Sequence, residues 1–307
     1  MSDLSSPSRP DRTVDHEMEE QRLLSEIKAL YARFHAGDLK PIDLVGPDRE
    51  SPREWMATAI QNRADHQPDA SVFRHFRREQ GTILDIGAHW GYTALAMRLT
   101  GTDCPIASIE ASVTNRANLD ALRSWDAQYD FLIQALGDSK SSHALYTPVV
   151  NGIYISGLTN IDGDIFNDHH ARHLASIIGT YIPYSAEYNV QLSRVEIATD
   201  TLDAVLQSHR FRIPTEKIAA IKLDVEHHEL QVLAGARQTL RSRPFLMIEG
   251  GNRSASIARV LGEEGYVYAD RDGDRVRLND AMSPEVNGYW LHRERLAEYR
   301  QMGLLAD

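Results

Sequence analysis

From residue 82 onward, short apolar runs alternate with stretches whose apolar positions recur every three or four residues. The runs are "TILDIG", "IASIE", "DFLIQALGD", "IAAIKLDVE", "PFLMIEG" and "YVYA"; helical spacing starts at Tyr92 and covers 115–125, 229–241 and 254–262. This alternation predicts a Rossmann-like α/β fold, an open, mostly parallel twisted sheet with helices on both faces. Near the end, "YVYADRDGDRVRLN" places two strand-like runs around an Asp-Gly turn and "GYWLHR" adds another, which predicts an antiparallel C-terminal edge.

Three stretches depart from the alternation. Residues 1–14 carry Ser, Pro and charge with little to bury, and are expected to be a disordered tail. Residues 15–70 read as an N-terminal helical segment. Leu23, Ile27, Leu30, Tyr31 and Phe34 lie on one face before a stop at Gly37, and a second helical stretch covers 52–64. That face needs a partner, either its own chain or a second copy in a homodimer. Residues 139–200 have no clean period and are expected to form a lid-like insertion that shapes a substrate pocket.

Composition narrows the function. The 33 Lys and Arg against 44 Asp and Glu give a formal net charge of -11, with no basic block, so nucleic acid is not an expected partner. Cys104 is the only cysteine, which excludes an internal disulfide and fits a reducing compartment. The polar start is unlike a signal peptide and no apolar run suits membrane insertion, so a cytoplasmic location is expected.

The apolar run "TILDIG" opens at two glycines in "DIGAHWG". Open parallel sheets bind ligands at the carboxyl ends of strands, where a glycine turn lets backbone approach. The spacing is D-x-G-x-x-x-G rather than the G-x-G-x-x-G of dinucleotide sites, and Asp85 disfavours a pyrophosphate. Nicotinamide hydride chemistry is thereby disfavoured. Glu110 ends the next run, where an acidic side chain can take both hydroxyls of a ribose. Ribose plus a cationic amino acid points to S-adenosyl-L-methionine. Asp85, Gly87, His89, Gly91 and Glu110 are the cofactor candidates, with Ala135 and Leu136 over adenine, Asp138 close by and Asp224 for the amino group.

The chain resembles the FkbM-type methyltransferases of the class I S-adenosylmethionine-dependent fold. The resemblance rests on "LDIGAHWGYTAL", "IEAS", "ALGD", "TLDAVL" and above all "IKLDVEHHELQVLAGA" followed by "LMIEG". It runs from about Gly81 to Gly251, within a methyltransferase domain expected over 71–300, and implies acceptors among sugars, glycolipids and polyketide-like natural products. Two positions depart from the family: His89 stands where Asn is usual and His227 where Gly is usual.

An alcohol acceptor must lose a proton. Alternation along "KLDVE" places Lys222, Asp224 and Glu226 on one side, and Glu226 or a histidine such as His228 is the candidate base. In the competing reading Glu226 and Glu229 cap the next helix, and Lys222 is equally a structural ion-pair partner. Glu249 and Asn252, with Asp224 or Glu226, form an oxygen-rich set suited to Mg²⁺, which the sequence does not require. His169, His170 and His173 could share a helix face, although a solvated helix start is the plainer account. The expected activity is O-methylation of a hydroxyl on a small molecule or glycan. N-methylation and a non-catalytic cofactor-binding protein are the alternatives.

Overall fold

The computed structural model describes residues 12–43, 56, 60, 68–163, 166–181, 188–250, 254–282 and 287–306. The second helical stretch expected over 52–64 falls almost wholly outside them. The chain forms two compact units, one of residues 1–44, 146–159 and 163–194, the other of 45–145, 160–162 and 195–307.

The larger unit is built on an eight-stranded sheet. Its strands in chain order are β1 (Thr82–Ile86), β2 (Ile106–Glu110), β3 (Tyr129–Ile133), β4 (Ile218–Leu223), β5 (Phe245–Glu249), β6 (Tyr266–Asp272), β7 (Arg275–Leu278) and β8 (Asn287–His292). Their spatial order is β3-β2-β1-β4-β5-β8-β6-β7. The first five are parallel, and β8, β6 and β7 add the antiparallel edge. The direction of winding reverses between β1 and β4, the switch point at which such sheets bind ligands.

β1, β2 and β4 are buried at every residue, which explains their near-continuous apolar runs. Successive residues supply opposite faces. Ile83 packs with Leu95 and Leu119 of α1 (Tyr92–Leu99) and α2 (Arg116–Trp125). Leu84 and Ile86 pack with residues of α3 (Leu202–Gln207), α4 (Glu229–Ala234), α5 (Arg237–Arg241) and α6 (Ser254–Glu263). The single helix expected over 229–241 is thus two. Gly235 lies between them, and a Cβ there would sit 2.1 Å from the carbonyl oxygen of Gly137.

In the smaller unit the N-terminal helix runs Arg12–His35, starting three residues before the helical segment expected from residue 15. A Schellman turn ends it: Gly37 has φ +74, its N–H donates to Phe34 O, and that of Asp38 donates to Arg33 O. Leu23, Ile27, Leu30 and Tyr31 are buried with Ala171, Leu174 and Ile178 of the helix Asp168–Tyr181, so the face finds a partner within its own unit. His169 and His173 are exposed, whereas His170 is buried with Nδ1 2.7 Å from Tyr31 Oη. The three histidines therefore do not share a face. The stretch 139–200 lacked a clean period because its long strands, Ser141–Val150 and Val190–Asp200, mix buried and exposed residues irregularly. Among the described residues no helix is long and apolar enough to cross a membrane.

Candidate functional site

Register between three parallel strands builds the centre of the site. Ser108 of β2, Asp85 of β1 and Lys222 of β4 are direct cross-strand partners. Asp85 is fully buried; its Oδ2 accepts from Ser108 Oγ at 3.0 Å, and its Oδ1 lies 3.5 Å from Lys222 Nζ. Lys222 Nζ also donates to Gly87 O at 2.7 Å and lies 3.3 Å from Asp224 Oδ2. Burial works against its charge, but the carboxylates of Asp224 and Asp85 outweigh it and hold the ammonium above the ordinary lysine range. Asp85 is thus an interior ion-pair partner beneath the glycine loop, and Lys222 ties that loop to β4.

The loop itself is fixed from two sides. Gly87 has φ +74, and a Cβ there would lie 1.6 Å from Asp224 O. Glu110, 8% exposed, accepts from His89 N–H and Ser112 N–H at 2.8 Å each and from Asn115 Nδ2 at 3.1 Å. A carboxylate offers about four acceptor positions, so Glu110 keeps capacity for a ligand hydroxyl. Gly91, φ +84, starts α1 close against Leu119 and Leu122. His89 stacks on Trp90, ring centroids 5.2 Å apart. Burial, with the Lys222 ammonium, lowers its imidazole to about 4, so the ring is neutral near pH 7.

Beyond β4, Glu226 and His227 adopt left-handed backbone, φ 50 and 77, and His89 has φ 52. Both departures from the family pattern thus sit where Asn and Gly are the residues best tolerated. A side chain in this region costs about 1–2 kcal/mol, partly offset by the greater unfolded-chain entropy of glycine. His227→Gly is expected to stabilise the protein by about 0.5–1 kcal/mol, read as a higher melting temperature; a lower one would show that the imidazole's contacts outweigh the strain.

The two glutamates of the loop separate in role. Glu229 is buried and its Oε1 accepts from the N–H groups of Val225 and His227 at 3.2 Å, which fastens the start of α4. Glu226 instead joins Asp224 and Glu249, with one oxygen from each within 4.8 Å of the others. These oxygens could hold a hard cation by donor type. Asn252, the fourth candidate ligand, lies outside the described residues. Burial, then the Asp224 carboxylate, raises Glu226 to about 8; the same causes with Glu226 added raise Glu249 to about 9.

The folded protein therefore keeps protons that the unfolded chain releases near pH 4.5. Their contribution to stability is complete below that pH and falls as pH rises through about 8 to 9. Glu226→Gln with Glu249→Gln should flatten this alkaline decline and add about 1 kcal/mol or more at pH 9, with little change at pH 5. Equal effects at both pH values would contradict the raised pKa values.

The remaining candidates make other contacts. Ala135 and Leu136 are buried, and pair with Thr199 and Asp200 instead of extending β3. Leu136 packs with Leu202 and Val205 of α3, so its side chain belongs to the core. Asp138 is exposed and accepts from Ser139 Oγ. His228 precedes α4, with its ring 6.3 Å from that of His143. Sequence reading did not single out His143 or its partners Ser141 and Asp162; no local pattern links a histidine to an aspartate nineteen residues away.

A doubly wound sheet, a glycine loop at its switch point and acidic residues closing adjoining strands define a class I methyltransferase architecture. The family described as "Methyltransferase FkbM domain" matches residues 85–268, and the chain belongs to it. No curated protein matched the chain. Among solved structures, a precorrin-6y C5,15-methyltransferase from Geobacter metallireducens is similar at 10% identity and a TM-score of 0.35, covering 72% of this chain and 81% of that one. A putative RNA methyltransferase from Pyrococcus horikoshii is similar at 8% identity and a TM-score of 0.31, covering 89% and 94%. Likeness at this level reaches neither substrate nor mechanism.

Proposed function

We propose that the protein transfers a methyl group from S-adenosyl-L-methionine to a hydroxyl of a small molecule or glycan. The observation that carries this reading is Glu110: a carboxylate closing the strand beside the switch point, positioned by His89 N–H, Ser112 N–H and Asn115, with acceptor capacity left for a ribose. Asp224, 35% exposed at its side chain, is the carboxylate available to an ammonium group, since Asp85 is enclosed. A carboxylate at this position disfavours a pyrophosphate and suits a cationic ligand. The donor, when bound, supplies an electrophilic methyl group. The chain's own contribution is to align acceptor and donor, exclude water and receive the acceptor's proton.

The net charge of -11 supports a small-molecule or glycan acceptor over nucleic acid. The test is methyl transfer from labelled S-adenosylmethionine to parallel panels of methyl glycosides, phenols and primary amines. Label in an ether product supports the reading; label only in amine products would replace it with N-methylation.

A further inference from the structure

The larger unit holds a second constellation that the cofactor reading leaves unused. His143 stands on the strand Ser141–Val150, its Nδ1 2.6 Å from Asp162 Oδ2 and its Nε2 2.6 Å from Ser141 Oγ. Asp162 is locked in turn. Its N–H donates to Ala144 O at 2.7 Å, and its Oδ1 accepts from Ala144 N–H at 3.0 Å. Its backbone is left-handed, φ 58, and Gly163 follows at φ 72, a turn that Asp and Gly both tolerate.

The chain of bonds fixes a tautomer. Burial works to raise the Asp162 pKa, but the hydrogen bonds from His143 and the Ala144 N–H hold it below the usual carboxylate range. An ionised carboxylate only accepts, so the His143 proton sits on Nδ1. Nε2 then carries a lone pair, to which Ser141 donates. This is an imidazole base oriented by a carboxylate, the arrangement used for proton abstraction in enzymes of many folds.

Its position adds the second observation. The His143 ring meets that of His228 edge-on, and His228 directly follows the loop of Asp224 and Glu226. The His143 side chain is 25% exposed, within reach of a solute.

We infer that His143 is the general base that takes the proton of the acceptor hydroxyl, with Asp162 as its positioning residue. The inference rests on reading the site of the glycine loop, Glu110 and Asp224 as the methyl-donor site. The acceptor hydroxyl replaces that of Ser141 at Nε2. As its oxygen bonds to the methyl carbon, the donor's carbon–sulfur bond breaks with the electron pair left on sulfur, and the hydroxyl proton passes to Nε2. The proton then leaves to solvent from the partly exposed ring.

The test has two arms on the full chain. In ¹⁵N NMR of histidine-labelled protein at pH 7, with His143 assigned by its loss in His143→Gln, Nδ1 should be protonated and Nε2 not. Asp162→Asn should disturb that state. An Nε2–H tautomer in the wild type would overturn the inference. In the second arm, methyl glycosides and phenols serve as probe acceptors. His143→Gln should lower kcat at least 100-fold while S-adenosylhomocysteine affinity stays within about twofold of the wild type; an unchanged kcat would overturn the inference. Failure of the wild type to bind S-adenosylhomocysteine would instead remove the donor-site reading, which the tautomer does not report.

Discussion

Lys222→Met is expected to destabilise the protein by about 3–5 kcal/mol, the range seen when one partner of a buried ion pair is removed. Lys222 is 3% exposed and Asp85 fully buried, so no water replaces the lost ammonium. Asp85 keeps only Ser108 as a hydrogen-bond partner, and the carbonyl of Gly87 loses its donor. A change of this size lowers the melting temperature by about 10 °C in a domain of this class. The pH dependence has a defined sign. The folded pKa of Lys222 lies above its unfolded value, so its contribution is complete below the ordinary lysine range and is lost as pH rises through the folded pKa. The variant should lack this alkaline loss. Adding Asp85→Leu should recover at least half of the stability, because the orphaned carboxylate is then gone. A single variant melting within about 2 °C of the wild type would show that the row Ser108–Asp85–Lys222 is not an ion-pair core.

Gly87→Ala is the second large effect, expected to exceed about 3 kcal/mol and to abolish ligand binding in any protein that still folds. Two costs add at this position. The left-handed backbone, φ +74, penalises any side chain, and the new Cβ would lie 1.6 Å from Asp224 O. That oxygen belongs to the backbone just after β4, so relief requires the loop and β4 to separate. Gly37→Ala isolates the first cost, since Gly37 has the same φ but nothing within 4 Å of its Cβ position. It should lose only about 1 kcal/mol. Urea unfolding of both variants measures the difference; equal losses would mean that close approach at Gly87 contributes nothing.

What the sequence made legible was largely local. Period and run length placed β1 to β5 and their helices because strands buried on both faces read as unbroken apolar runs. The same pattern placed Asp85, Glu110 and Asp224 at or just past strand ends. It could not show that Lys222 faces Asp85, because register between strands far apart in sequence leaves no local trace. Asp85 accordingly looked like a ligand-facing carboxylate and proves to be enclosed. Glu226 and Glu229 were indistinguishable in sequence until the left-handed turn at 226–227 sent one to the acidic cluster and the other back onto the helix start. The histidines at 89 and 227 were visible as departures, and their positive φ supplies the reason Asn and Gly suit those positions. His143, Ser141 and Asp162 were hidden because hydrogen bonding, not periodicity, brings them together.

The proposed function requires the glycine loop and Glu110 to hold S-adenosylmethionine. Because Asp85→Ala would mainly disturb the interior, Glu110→Gln is the sharper probe: it keeps the side chain's size and removes the anionic acceptor. Calorimetric titration of S-adenosylhomocysteine into the wild type and this variant should give micromolar binding for the first and at least tenfold weaker binding for the second, about 1.4 kcal/mol or more. A folded wild type that binds no S-adenosylhomocysteine, or a variant that binds it equally well, would contradict the account.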